Sequence, residues 1–429
     1  MNPLAIELNQ LLSDTPAAEL LSGMGKRLYF PKGIIAQSAE AKSLGKRANA
    51  TIGTARKDGK PLMLSSVKEQ LPGLSPAESV AYAPTAGVPE LRELWLNKIG
   101  AKNPSIDVGK ISLPVVVPGL TAGISYITDL FLDDGDVLLA GDPAWDNYNL
   151  IVETRHESIL GGFKMLDEKG FNMESFKEAV DSRKKEGKIK LLLNFPQNPA
   201  GYTITKAEGE KIRDYLVSVA DEGVKLLVCC DDAYFGLFYE DDINPESLFA
   251  MLYNAHKNIL AIKIDGPTKE DCAWGFRTGF ITFGCKDMTK EQYDALNKKL
   301  MGAIRSSVSC CATPSQYIIM KAIKDERTGA EKKEFEKILE ERYKIVKEFL
   351  GTKKGHSVLT PMPFNSGYFM SLECKGIKAE DLRVKLLKDY GIGTVAIDEN
   401  HLRIAFSSLE TNTIREVYEY IYKAAEELA

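Results

Sequence analysis

Short, almost wholly apolar runs alternate with longer amphipathic stretches through the middle of the chain, and this alternation constrains the fold more than any other feature. SLPVVVPG (112–119), VLLAGD (137–142), SILGGF (158–163), IKLLLNF (189–195), VKLLVCCDD (224–232), NILAIKID (258–265) and GFITFG (279–284) read as strands. Between them, TAGISYITDLFL, NMESFKEAVDSRKKEG and TKAEGEKIRDYLVSVADEG space their apolar residues as helices do. Strands apolar on both faces and separated by helices predict a mostly parallel sheet covered on both sides, an α/β doubly wound layer. In such sheets ligands bind beyond the carboxyl ends of the strands. Functional residues are therefore expected just after the strand runs.

From about residue 329 the texture changes. AEKKEFEKILEERYKIVKEFL is a long charged helix, followed by SGYFMSLEC, AEDLRVKLLKDYG, GTVAID, HLRIAFS and TNTIREVYEYIYKAAEEL. Strand, helix, strand, strand and helix predict a small α+β domain over 329–429, after a large domain over 63–328. Residues 1–62 are helical and loop-rich and are expected to pack on the small domain. Their start, MNPLAIELNQLLSDTP, reads as an amphipathic helix, since it lacks the basic and apolar regions of a secretory signal.

Composition narrows the function. With 55 basic and 60 acidic residues, the net charge of −5 argues against a protein built to neutralise nucleic-acid phosphate. No apolar run approaches the roughly 20 residues of a membrane helix. The 7 cysteines form no CxxC pair, and the histidines His156, His256, His356 and His401 lack ligand spacing. Neither a metal site nor a reactive cysteine is expected, and a cytoplasmic, soluble enzyme is.

Four segments follow strand runs. Pro118-Gly119-Leu120-Thr121-Ala122-Gly123 turns into a helix whose free N–H groups suit a phosphate, though a plain turn capped by Thr121 accounts for the same residues. Asn194–Gly201 (NFPQNPAG) is a proline-stiffened turn that can aim the Asn198 amide at a ligand, and Asn-Pro is also an ordinary turn dipeptide. In Asp231-Asp232-Ala233-Tyr234, one aspartate can cap a helix, but two at a buried strand end suggest that one faces a cation. The last is Asp265-Gly266-Pro267-Thr268-Lys269, with Arg277 eight residues beyond the lysine. Burial lowers a lysine pKa, as an amine that attacks a carbonyl requires, and Arg277 suits a dianionic phosphate. An ordinary arginine–aspartate pair at the sheet mouth is the plainer alternative.

Asn-Pro-x-Gly, Asp-x-x-Tyr, Lys and then Arg, in that order, resemble the class I/II aminotransferases among the fold-type I pyridoxal-phosphate enzymes. The resemblance runs from about Tyr29 to the C-terminus and is closest to the aspartate and aromatic branch. It implies that Lys269 carries pyridoxal 5′-phosphate covalently and that Asp231 pairs with the pyridine nitrogen. It implies that Asn198 and Tyr234 bond the ring oxygen, and that Leu120, Thr121 and Arg277 bind the phosphate. Trp145, in Asp142–Tyr148, resembles the aromatic residue stacked on the cofactor. Tyr82, in AYAPTAG, is similar to the tyrosine that reaches the neighbouring subunit's phosphate. Gly53, in Asn49–Gly53, looks like part of the substrate loop. Arg403 matches the arginine that clamps the α-carboxylate, and Arg305 resembles one that crosses from the partner to a distal carboxylate. The implied activity is ping-pong transamination by a homodimer with shared sites, acting on acidic or aromatic amino acids.

Two positions depart from the family pattern. Gly266 stands where a phosphate-binding serine is usual, which leaves Thr268 or another hydroxyl to compensate. Tyr148 stands where a histidine often supports the pyridine-binding aspartate. Lysine, aspartate and arginines are shared with lyases and synthases of the same fold, which are the alternative activity; a non-catalytic regulator on this fold is disfavoured by the lack of a basic recognition helix.

Overall fold

A computed structural model describes residues 1–11, 21, 26–27, 34–51 and 53–429. A helix covers Pro3–Leu11; the rest of the expected N-terminal helix, together with Tyr29 and Ile52, lies outside the described residues.

The central sheet has 7 strands: β1 (Val115–Val117), β2 (Val137–Asp142), β3 (Ile159–Lys164), β4 (Lys188–Asn194), β5 (Lys225–Asp231), β6 (Ile259–Asp265) and β7 (Gly279–Gly284). Their order is β1-β7-β6-β5-β4-β2-β3. β7 runs antiparallel to both neighbours, and the other pairings are parallel. The first strand run shortens to three residues because Pro114 and Pro118, on either side, lack the N–H a ladder needs.

Both faces of the sheet are covered. Leu226, Val228 and Cys230 of β5 enter one core, whereas Leu227 and Cys229 enter the other. This is the period-two alternation of a strand buried on both sides. The first core includes Leu91, Trp95 and Ile99 of α1 (Pro89–Lys102) and Ile212, Leu216 and Val219 of α3 (Lys206–Asp221). The second includes α2 (Leu120–Phe131) and α4 (Lys290–Ser307).

Helix α5 (Thr328–Gly351) spans two cores. Phe335 and Leu339 pack with the second, and Tyr343, Val346, Phe349 and Leu350 with a third. That third core lies under an antiparallel sheet of β8 (Leu359–Pro361), β9 (Met370–Cys374), β10 (Val395–Ala396) and β11 (His401–Ile404), ordered β8-β9-β11-β10. Helices α6 (Ala379–Tyr390) and α7 (Ile414–Glu426) cover it. The edge strand β8 was absent from the expected series; a three-residue strand ending in proline carries no alternation to read. Ala48–Asn49 pairs in parallel with Ile392–Gly393, and the Ala405 N–H donates to the Ala50 carbonyl at 2.8 Å. Among the described residues, no helix is long and apolar enough to cross a membrane.

Candidate active site

The parallel register aligns the ends of β4, β5 and β6, with Asp231 opposite Asn194 on one side and Ile264 on the other. Beyond these ends lies a cleft of about 260 Å³, bordered also by the N-terminus of α2 and by β11. Strand alternation separates the two aspartates. Asp231, 3% exposed, lines the cleft. Asp232 turns to the opposite face, where it pairs with Lys263 and accepts from Ser247 Oγ at 2.6 Å. Burial lifts the Asp231 pKa, opposed by the hydrogen bond from Tyr148 and by the Lys269 charge. The Tyr148 hydroxyl donates to Asp231 Oδ2 at 2.6 Å, and the Ala233 N–H to Oδ1 at 3.2 Å. A tyrosine thus buttresses this carboxylate at the position where the family often has histidine.

Lys269 sits in the loop after β6, lines the same cleft and has its Nζ 4.6 Å from the centre of the Tyr234 ring. Its pKa is pushed down to about 8 by burial, with Arg277 adding to the effect and Asp231 opposing it. The loop is held from behind. Lys98 pairs with Glu270 and with Asp271, each at 2.7 Å, and Lys332 with Asp271 at 2.7 Å. Lys102 also pairs with Glu270, and the Tyr368 hydroxyl donates to the Lys269 carbonyl at 3.0 Å.

At one end of the cleft the chain enters α2 through Gly119, whose φ is +86°. A Cβ there would fall 2.4 Å from Arg277 Nη2, so only glycine lets that guanidinium lie against the turn. No side chain caps the helix, which leaves the first N–H groups, those of Leu120 and Thr121 among them, for a ligand. Thr268 Oγ1 is buried without a hydrogen-bond partner among the described residues. Gly266 lies so close to the next strand that a Cβ would be 2.9 Å from the Thr278 carbonyl; the absence of serine there reflects local backbone packing.

Toward the small sheet, Arg403 of β11 is 2% exposed. Its Nη1 donates to Asn198 Oδ1 at 2.9 Å and its Nη2 to the Thr51 carbonyl at 3.2 Å, while Nε is buried without a partner. The guanidinium lies 4.2 Å over the Phe369 ring. Asn198 is aimed by its turn: its N–H donates to Asn194 Oδ1 at 2.8 Å, and Asn194 Nδ2 to the Asp231 carbonyl at 2.7 Å. Gly201, with φ +77°, closes that turn against Phe369, whose carbonyl would lie 1.9 Å from a Cβ. Gly53 and Trp145 also border the cleft.

Leu120, Thr121, Trp145, Asn198, Asp231, Tyr234, Thr268, Lys269, Arg277, Gly53 and Arg403 therefore surround one space. Tyr82 and Arg305 do not join it within this chain. Tyr82 is 92% exposed, and Arg305, in the last turn of α4, bonds Ser309. Sequence reasoning passed over Phe369 and Trp274. Phe369 carried no signal. Trp274 did, as an aromatic residue between the lysine and Arg277; it lines the cleft, and its Nε1 is buried without a partner.

A buried carboxylate, an amine shifted toward neutrality, an uncapped helix start and idle donors at Thr268 and Arg403 define a site for an anionic, ring-bearing carbonyl cofactor, and pyridoxal phosphate fits these groups. The chain belongs to the aminotransferase class I and II family, whose model matches residues 50–421. It is 27% identical over 268 residues to an aspartate aminotransferase of Pyrococcus abyssi, covering 62% of each chain, so the match spans under two thirds of that relative. With the aromatic-amino-acid aminotransferase 2 of Thermococcus litoralis it shares 24% identity over 337 residues, 76% of this chain and 79% of that one. Among solved structures, an aminotransferase of Anaerococcus prevotii superposes with TM-score 0.82 at 22% identity, covering 94% of this chain and 98% of the other.

Proposed function

We propose that this protein is a pyridoxal-phosphate-dependent aminotransferase that passes an amino group from an acidic or aromatic L-amino acid to a 2-oxo acid in a ping-pong cycle. The observation that carries the reading is one cleft shared by the Lys269 amine, the Asp231 carboxylate and an Arg403 guanidinium with an idle Nε. Bound there, pyridoxal phosphate supplies an electron sink for charge developing at the substrate Cα. Asp231, buttressed by Tyr148, keeps the pyridine nitrogen protonated. Lys269 Nζ removes the proton at substrate Cα and returns it, a role for which a pKa near working pH is best. Arg403 binds the α-carboxylate through its free Nε, with Asn198 fixing the guanidinium plane. Trp145 and Phe369 shield the reacting atoms from water.

The acidic or aromatic substrate class is supported by the names of the Pyrococcus and Thermococcus relatives and by the aromatic wall of Trp145, Trp274 and Phe369. The protein is further proposed to work in the cytoplasm as a homodimer, with Tyr82 and Arg305 reaching the partner's cleft. A donor panel tests the activity: cofactor-loaded enzyme is mixed with single L-amino acids and its visible band followed. Loss of the band with acidic or aromatic donors, recovery on adding a 2-oxo acid and no free ammonia are expected. Ammonia release would make the enzyme a lyase, and an unchanged spectrum across the panel would end the proposal.

A further inference from the structure

Among the described residues, three buried side-chain atoms of the cleft could hydrogen-bond but have no partner: Thr268 Oγ1, Arg403 Nε and Trp274 Nε1. The first two have assigned ligands, the cofactor phosphate and the substrate carboxylate. The third does not. A buried donor left unpaired is destabilising, so its persistence beside a ligand cavity calls for an acceptor on the ligand.

Position decides which acceptor. Trp274 opens the short 3₁₀ turn Trp274–Phe276 that leads into Arg277. The Arg277 Nη1 donates to the Trp274 carbonyl at 3.0 Å, and the same guanidinium lies against Gly119 at the start of α2. Through its carbonyl, Trp274 is thus anchored to the arginine at the phosphate end of the cleft. That end is also short of a donor, because the packing of Gly266 against Thr278 excludes any side chain there. The other two tryptophans are differently employed: Trp95 Nε1 donates to Asp265 at 2.9 Å, and Trp145 packs edge-on to Tyr148.

We propose that Trp274 Nε1 donates a hydrogen bond to the cofactor phosphate and, with Thr268, makes up for the hydroxyl that position 266 cannot carry. This inference rests on reading the cleft as a pyridoxal phosphate site. The full-length chain, stripped of cofactor, is titrated with pyridoxal 5′-phosphate and separately with pyridoxal, which lacks the phosphate, following the visible band. Trp274→Phe is expected to weaken pyridoxal phosphate about tenfold, the loss of one hydrogen bond to a charged acceptor, and to leave pyridoxal unchanged. Trp274→His, which restores a ring N–H, is expected to bring the ratio of the two affinities to within about threefold of the original chain. Equal losses on both ligands, or none on either, would overturn the role of Trp274. So would a histidine variant whose ratio stays at that of the phenylalanine variant while its dimer is weakened, since the donor would then serve a subunit interface. If the unaltered chain captures no pyridoxal phosphate, the function itself falls, and the two failures are told apart in one experiment.

Discussion

At the scale of single residues, the proposed chemistry turns on Lys269, because an amine attacks a carbonyl only when neutral. With its pKa pushed down to about 8, chiefly by burial, the side chain loses its proton near working pH. In the cofactor-free enzyme, acylation of Lys269 should rise with pH with a midpoint near 8, whereas that of an exposed lysine has its midpoint near about 10.4. Asp231 supports the charged amine, so Asp231→Asn should move that midpoint to lower pH. Peptide mapping of each modified sample checks both; a midpoint above about 10 would remove the special character of Lys269. Asp231 itself works in the other direction. Its folded pKa is raised, so its cost to stability is absent below the unfolded value and grows as pH climbs through the folded one. Asp231→Asn should therefore raise the melting temperature of cofactor-free enzyme at pH 7 while lowering turnover by several orders of magnitude. A variant that melts lower, or turns over normally, contradicts the assignment.

The loop that carries Lys269 is held as an element by charges on two helices. Lys98 of α1 and Lys332 of α5 meet on Asp271, which is 5% exposed. Although burial works against it, these lysines hold the Asp271 carboxyl well below the usual range, and burial brings Lys98 down to about 8. Removing one member of such a group strands the others. Asp271→Ala should cost about 3–5 kcal/mol of stability, read from the denaturant midpoint, and it should weaken cofactor binding through the displaced loop. A loss below about 1 kcal/mol would mean that the group is solvated. Nothing in the local sequence announced this cluster, since its members come from residues 98, 102, 270, 271 and 332. The strands were legible because a strand buried on both faces must be apolar throughout: β2, β4, β5, β6 and β7 fall within a residue or so of the runs read for them. The pairing of Ala48–Asn49 with Ile392–Gly393 was not legible, because no local pattern records a partner so far along the chain. Asp231, Asn198 and Lys269 could be found because each ends or follows a readable strand. Arg403 could be picked out only by resemblance, since an arginine in a strand otherwise reads as an edge charge.

At the scale of the whole molecule, two residues singled out in the sequence stand apart from the cleft of their own chain. Tyr82 is 92% exposed beside Val80 at 83%, so both side chains are free to meet a second chain. Arg305, in the last turn of α4, bonds Ser309, and a cation there also suits the helix dipole. A two-fold dimer lets each subunit lend the same residues to the other's cleft. The test mixes two separately impaired proteins, Lys269→Ala, which lacks the amine, and Tyr82→Ala, which lacks the lent tyrosine. In a mixed dimer, one cleft carries both defects and the other neither, so random reassociation should restore about a quarter of the original activity. No recovery after verified subunit exchange would mean that each cleft is complete within one chain. Arg305 then separates substrates. If it meets a distal carboxylate, Arg305→Ala should cost glutamate and aspartate about 2–4 kcal/mol in kcat/KM, as when one partner of a buried charge pair is lost. Aromatic donors, which offer no charge at that distance, should lose far less. Equal losses on acidic and aromatic donors would return Arg305 to the surface of its helix and leave acid specificity to groups within a single chain.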